Sequence, residues 1–362
     1  MTLIEESVKL ILQHQASTGA YLASPAFVHY QYAWLRDGTF TAYAMNRTGK
    51  HDSARKFYQW CNDVIRKHET KAREAISAAK NGLDKNDAGS DRFLHTRYTA
   101  DGEEVTGEWG SFQLDGYGTW LWGLAEHVRM SGEHDLIHEL KPSIELTIDY
   151  IVACWQLPNF DCWEEGGDRI HPVTLGAIYA GIKAMEPYLP ERAFELAQQG
   201  EAIRQFIRAH GTANGRLIKS VGDHSVDASL LWLALPYGIV DVNDPLMLRT
   251  VQAIEEELRA GNGVHRYPAD TYYGGGQWLL LSAWLGWYYV KTGRREEAEK
   301  IVAWIVSQRQ ANGLPEQVQE HLLFPAHYEL WVERAGHPAV PLLWSHAMFL
   351  VLAAELGIQY QP

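Results

Sequence analysis

Three observations on the sequence predict an all-α fold. Apolar residues recur at helical spacing, between capping and breaking residues, in twelve segments. No convincing run alternates apolar with polar residues as a half-buried strand would. The links between segments are of two kinds, and the two kinds alternate along the chain.

The segments fall near 2–16, 37–47, 51–78, 114–130, 134–155, 173–187, 191–210, 226–236, 244–259, 276–291, 294–310 and 341–355. The second and third are joined by the turn "RTGKHD", the fourth and fifth by "SGEHD", and the sixth and seventh by "YLPER". "YGIVDVND" follows the eighth and "KTGRRE" the tenth. The links that enter the even-numbered segments are longer and rich in aromatic, acidic and glycine residues: "HYQYAWLRD", "TGEWGSFQLDGYG", "LPNFDCWEEGGDRIHP", "KSVGDHSVD", "GVHRYPADTYYGGGQW" and "NGLPEQVQEHLLFPAHYELWVERAGHPAVP". Six hairpins with plain turns at one end and elaborate links at the other describe a closed ring, an inner circle of helices inside an outer one. Such a ring is an (α/α)6 barrel, and its six long links converge on one rim. An open solenoid would show a repeat of fixed length, and none is present. No linker divides the chain, which predicts one catalytic domain over 1–362. The charged stretch "KAREAISAAKNGLDKNDAGSDRFLHTRYTADGEE" reads as an excursion within the ring, placed to cover its cavity.

Composition narrows the function. A formal net charge of −13 leaves no basic surface for nucleic acid or anionic membrane. No run approaches the ~20 apolar residues of a membrane span. The opening "MTLIEESVKLILQHQ" is acidic and amphipathic, unlike a secretory signal. Three cysteines, Cys61, Cys154 and Cys162, form neither a disulfide framework nor a CxxC pair, which points to the reducing cytoplasm. Fourteen tryptophans and eighteen tyrosines suit a sugar, whose C–H faces pack on rings while its hydroxyls take polar partners. Core packing is the other use of such residues.

Certain residues stand out as chemistry. In "FDCWEEGG" Asp161, Trp163, Glu164 and Glu165 lie within five positions. Adjacent glutamates are ordinarily a solvated face, but a carboxyl held against an indole among other acids has its pKa raised and keeps a proton at neutral pH. Hydrolysis of a glycoside needs a second carboxylate across the sugar ring. Glu316 offers one, fixed after a Gly-Leu-Pro turn, although a helix N-terminal acid would look the same. Arg36 with Asp37, and Arg266 with Asp270, can hold hydroxyls by charge-assisted bonds beside aromatics. Each also has a structural reading, Asp37 as a helix N-terminal acid and Arg266 as an ion pair. "HDLIH" lacks the glutamate and third ligand of a zinc helix and reads as a helix start. "GGGQW" follows no strand and has no GK[ST], so its glycines are expected to let backbone approach a ligand.

Seven stretches taken in order, "YAWLRDG", "QLDGYG", "CWEEGG" with "HPVTLGAIYAG", "DASLLWL", "RYPADTYYGGGQW", "LPEQ" and "LWSHAMFL", resemble the motifs of glycoside hydrolase family 15, the glucoamylases, glucodextranases, isomaltose-type glucohydrolases and some trehalases. The resemblance implies an (α/α)6 barrel and exo-acting release of β-glucose from a nonreducing end, with inversion. Within it Glu164 matches the general acid and Glu316 the general base. Asp161 and Glu165 match acids that support Glu164 and bind substrate. Arg36 with Asp37 matches the pair on the terminal glucose, and Arg266 with Asp270 the later pair. Trp34, Trp163 and Trp278 match aromatics around the sugar. No cofactor and no metal are implied.

The chain departs from the family in having no room for the N-terminal β-sandwich or the starch-binding module that many members carry. The Gly-Gly-Asp after the glutamates and Cys162 before Trp163 also differ from starch-acting forms. A short intracellular α-glucoside, isomaltose- or malto-type, is therefore the expected substrate. The linkage and the oligomeric state are left open. Two alternatives remain at this stage: another (α/α)6 sugar enzyme such as a glycoside phosphorylase, and a sugar-binding protein that has lost catalysis.

Overall fold

The structure is a computed structural model that describes residues 2–82, 91–107, 109–358 and 360. Six helical elements close an inner ring: α2 (Leu35–Arg47), α5 (Asp115–Ser131), α7 (Pro172–Met185), the 3-10 helix Ala228–Leu233, α10 (Leu279–Lys291) and α13 (Leu343–Glu355). Each packs on the next, and α13 packs back on α2. Six more surround them: α1 (Leu3–His14), α3 (His51–Lys67), α6 (Asp135–Cys154), α8 (Ala193–His210), α9 (Pro245–Glu257) and α11 (Arg295–Ser307). This is the predicted (α/α)6 barrel.

Sequence explains which helix goes where. Inner helices are buried almost all round, and α10 is buried continuously from Leu279 to Tyr289. Outer helices bury one stripe; α3 buries Ala54, Phe57, Tyr58, Cys61, Val64 and Ile65, at the spacing of one helical face. The tightest approach in the ring, α5 against α7, needs glycine on both sides. A Cβ at Gly118 would stand 2.4 Å from the Ala177 carbonyl oxygen, and one at Gly181 2.5 Å from that of Gly118.

Much of the aromatic surplus fills the barrel axis. Phe40 stacks on Trp344 with centroids 5.7 Å apart, and Trp284 meets both Phe40 and Trp232 at 4.8 Å. The packing use of these residues is thus real. Others, among them Trp34, Trp109, Trp163, Trp278 and Trp331, line the rim.

Three features differ from the sequence expectation. The segment 51–78 is two helices, α3 and α4 (Glu69–Lys80), because the chain bends at His68, whose ring donates to the Gly102 carbonyl at 2.8 Å. The eighth segment is a 3-10 helix, capped by Asp227, which accepts from the Ser229 amide. A further helix, α12 (Pro325–Ala335), lies inside the last long link. The excursion after α3 does not roof the cavity with its helix, since α4 packs on α6 of the outer ring. Residues 83–90 of it lie outside the described residues.

Eight two-residue strands staple the links among the described residues. Pairing of Ala33–Trp34 (β1) with Arg97–Tyr98 (β2) is antiparallel. Thr212–Ala213 (β3) pairs with Arg216–Leu217 (β4). Arg259–Ala260 (β5), Gly263–Val264 (β6), Gln277–Trp278 (β7) and Gln317–Val318 (β8) form one small sheet whose register sets Trp278 opposite Gln317.

The ring closes at α13 through His346. Its Nε2 accepts from the Leu314 amide at 2.8 Å, so Nδ1 carries the proton and donates to Ser7 Oγ, also at 2.8 Å. Burial pushes the pKa of this imidazole down to about 3. The unfolded chain binds a proton at ~6.5, where the folded one does not. Stability is therefore expected to fall as the pH is lowered from about 6.5 towards 3, and His346→Gln to flatten that slope in urea titrations. Separately, Trp284→Ala should cost about 3–5 kcal/mol of unfolding free energy. The exposed Phe194→Ala should stay within about 0.5 kcal/mol of the parent.

Candidate active site

The long links meet at one rim, where five of the six line a cavity of about 230 Å3 and the fourth, residues 219–227, stands behind the third. Its wall includes Tyr30, Trp34, Arg36, Asp37, Trp109, Cys162, Trp163, Glu164, Glu165, Arg266, Tyr272, Trp278, Glu316, Trp331 and Trp344. Of the residues singled out from sequence, all but Asp161 and Asp270 line it.

Glu164 and Glu316 are held in different ways. Glu164 sits at φ +62°, a left-handed backbone unusual for a residue with a side chain. Its Oε1 accepts from Trp34 Nε1 at 3.1 Å and from Arg36 at 3.4 Å. The indole on this carboxyl is therefore that of Trp34, while Trp163 turns its Nε1 to Asp227 at 3.0 Å. Burial raises the pKa of Glu164 against the pull of Arg36. Its side chain remains 22% exposed towards the opening.

Glu316 is 1% exposed. It sits immediately before β8, its amide donating to the Ala339 carbonyl at 2.9 Å. Tyr30 donates to its Oε1 at 2.8 Å, and Tyr30 and Tyr272 share a further bond of 2.7 Å. Oε2 is buried with no partner. Burial pushes the pKa of Glu316 up to about 7, opposed by the Tyr30 hydrogen bond and by Arg266.

Two arginines organise the wall. Arg36 reaches Asp115 at 2.9 Å, Gln113 at 3.0 Å and Asp37 at 3.2 Å, and lies 5.3 Å over the Trp344 ring. Asp37 is in the first turn of α2, as its structural reading held, yet its Oδ2 has no hydrogen-bond donor, and burial raises its pKa to about 7 against Arg36. Arg266 is bidentate to Asp270, at 2.6 and 2.7 Å, and 3.5 Å from Glu165. Its guanidinium lies 5.3 Å over Trp163 and 5.2 Å over Trp278. Asp270 thus stands behind the wall and orients Arg266. Asp161 is also behind it, accepting the amides of Trp163 at 2.8 Å and Glu165 at 2.9 Å.

The glycines of "GGGQW" serve the chain's own packing instead of a ligand. Gly275 has φ +68°, and a Cβ on it would stand 2.3 Å from the Asp270 carbonyl oxygen. His134 caps α6 and His138 lies in its first turns, away from the rim. Among the described residues no group of three His, Cys, Asp or Glu could hold a metal ion, and no helix is long and apolar enough to cross a membrane.

Sequence reasoning gave no role to Tyr30, Gln113, Asp115, Lys219, Asp227, Tyr272, Trp331 or Trp344. All lie in or beside the long links, and five of them, Gln113, Asp115, Asp227, Tyr272 and Trp344, fall inside the quoted motifs. Position in those links was the available signal.

The cavity is chemically unfinished. Glu316 Oε2 lacks a donor, Asp37 Oδ2 has only its ion pair with Arg36 at 3.2 Å, and the indole N–H groups of Trp278 and Trp344 lack acceptors. Each unmet buried group costs ~1–3 kcal/mol. A ligand with many hydroxyls and flat apolar faces recovers that cost, which describes a sugar ring. Since the Tyr30 hydrogen bond lowers the pKa of Glu316, Tyr30→Phe is expected to move it above about 7. Carbon-13 NMR titration of the Glu316 carboxyl reads this directly; an unchanged or lower midpoint contradicts the assignment.

Comparisons with known proteins identify the family. The pattern described as "Glycosyl hydrolases family 15" matches residues 2–320. Isomaltose glucohydrolase of Kribbella flavida is 40% identical over 362 residues, spanning 98% of this chain and 93% of its own. An uncharacterized glycosyl hydrolase of Methanocaldococcus jannaschii is 27% identical over 93% of this chain and 53% of its own. A glycosidase solved in complex with glucose superposes with a TM-score of 0.94 at 39% identity, over 99% of this chain and 97% of that one. A bacterial glucoamylase complexed with acarbose superposes at 0.75 with 19% identity, over 99% of this chain and 56% of that one, which attests the fold. With a family match over most of its length and so similar a full-length relative, this chain belongs to the glycosyl hydrolases of family 15 and is a glycoside hydrolase.

Proposed function

We propose that the protein is an exo-acting, inverting α-glucoside hydrolase that releases β-glucose from the nonreducing end of short substrates, isomaltose first among them. The observation that carries this reading is the pair of carboxyls on one cavity, each with a raised pKa and each with a different set of partners. The linkage preference rests on the similarity to an enzyme named for isomaltose.

In this reading the terminal glucose fills the inner cavity. Arg36, Asp37 and the indoles of Trp278 and Trp344 take its hydroxyls. Glu164, with Oε1 engaged by Trp34 and Arg36, gives the proton on its other oxygen to the glycosidic oxygen as the C–O bond breaks. Glu316, with Oε1 engaged by Tyr30, uses Oε2 to take a proton from a water that attacks the anomeric carbon from the opposite face. That arrangement needs room for a water, ~6.5–9.5 Å between the carboxyls. Glu165 and Arg266 stand on the same wall beside Trp163 and Trp278. An outer chamber of about 390 Å3 shares Trp109, Tyr272 and Trp331 with the inner one and would seat the departing sugar. Carboxyls outnumber cations around the cavity, which favours water over phosphate as the attacking group. We further infer that residues 1–362 act as one catalytic unit. A cytoplasmic setting fits three buried, unpaired thiols.

Fresh product examined by proton NMR should be β-glucose; α-glucose appearing first overturns inversion. Glu164→Gln and Glu316→Gln should each lower kcat by about 10²-fold or more with the melting temperature retained. Isomaltose, maltose and trehalose assayed side by side should rank isomaltose first by kcat/KM.

A further inference from the structure

The Glu164 loop is held in its unusual shape by a charged group that lines no part of the inner cavity. Lys219 opens the fourth long link, and its side chain is 11% exposed. Its Nζ lies 2.8 Å from Asp227 Oδ2, 3.1 Å from Asp161 Oδ2 and 4.0 Å from Glu165, and 3.8 Å over the Tyr267 ring. Burial opposes the charge of this ammonium, but Asp161 and Asp227 hold its pKa above the usual lysine value.

Both carboxylates it joins grip the residues beside Glu164. Asp161 Oδ1 accepts the amides of Trp163 and Glu165, one on each side of Glu164, at 2.8 and 2.9 Å. The Glu164 amide itself returns to the Asp161 carbonyl at 3.1 Å. Asp227 accepts the Trp163 indole at 3.0 Å and the Ser229 amide at 2.8 Å, so it ties the loop to the start of the inner 3-10 helix. A side-chain-bearing residue at φ +62° costs on the order of 1–3 kcal/mol and persists only where its surroundings enforce it. Without the ammonium, Asp161 and Asp227 would be two buried carboxylates facing one another, and one would move or take a proton.

We propose that Lys219 is a positioning residue for Glu164: by joining Asp161 to Asp227 it locks residues 161–165 in the conformation that aims the Glu164 carboxyl into the cavity. The inference rests on the reading of Glu164 as proton donor. Lys219 touches none of the reacting atoms. Glu316 and its Tyr30 partner stand on other links, so the opposite side of the cavity is left in place.

The test compares two substrates. Cleavage of isomaltose requires protonation of a sugar oxygen, whereas α-glucosyl fluoride loses fluoride ion as the C–F bond breaks and needs no proton from the enzyme. Lys219→Met should lower kcat on isomaltose by on the order of 10- to 100-fold with KM little changed. Its turnover of α-glucosyl fluoride should stay close to that of the parent, and Lys219→Arg should recover most of the loss. If Lys219→Met does not fold, Asp161→Asn, which keeps an acceptor for the two amides but removes the charge, should give the same selective loss. Equal loss on both substrates from a folded variant, or no loss on either, overturns the proposal. Glu164→Gln assayed on the same pair separates the two ideas. If it too loses both substrates equally, the donor assignment of Glu164 fails, whatever Lys219 does.

Discussion

Arg36 is 3% exposed, and four different parts of the chain are built around it. Its nitrogens pair with Asp37 in the same helix turn, with Asp115 at the start of α5, with Gln113 in the link before it, and with Glu164. The ring of Trp344, in the first turn of α13, covers its face. A guanidinium so far from water is tolerable only when its charge is met by fixed acceptors, and here they crowd its two terminal nitrogens while Nε is left without a partner. Three inner helices therefore have their rim ends registered by one side chain, and the Glu164 carboxyl is registered to all of them. Removing one partner strands the others, which makes this cluster a single unit.

Beyond Arg36 the rim repeats one device with a different cation each time. Arg266 gathers Asp270 and Glu165, and Lys219 gathers Asp161 and Asp227. Asp37 and Glu316 are left with less compensation than their burial demands, and both are pushed up to about 7. Burial beside more carboxyls than cations raises the pKa of both acids. The barrel's chemistry thus follows from an imbalance of charge that its packing enforces.

The ring was legible because a closed circle of hairpins forces plain and elaborate links to alternate, and link composition is a local property of sequence. What escaped was structure without a local signature. Helix α12 buries only Tyr328, and packs on the Tyr272–Tyr273 turn, so it has no apolar stripe to announce it. The run "ASLLWL" is apolar throughout and has no period from which a 3-10 helix could be told apart from an α-helix. Two-residue strands are too short to alternate. In the site, Glu164 and Glu316 stood out because glycine or proline neighbours mark them as loop acids. Tyr30 and Lys219 are ordinary residues whose importance comes from partners 286 and 58 positions away, a distance that only folding removes. Asp161 and Asp270 carried the opposite ambiguity, as acids in the right motifs whose carboxyls face inward to loop amides and to Arg266.

The His346 seam adds a dimension of time. Leu314, two residues before Glu316, donates its amide to a ring carried by α13, while the other nitrogen of that ring holds Ser7 in α1. Glu316 is fastened as well to Ala339, at the threshold of the same helix. Helix α13 follows every other member of the ring in the chain, so a ribosome making this protein from its amino end completes nearly the whole circle first. Until α13 emerges, the link bearing Glu316 has its β7–β8 pairing and its Tyr30 bond but lacks the fastening to His346. The last fastening of the Glu316 link is thus the last part of the ring to leave the ribosome.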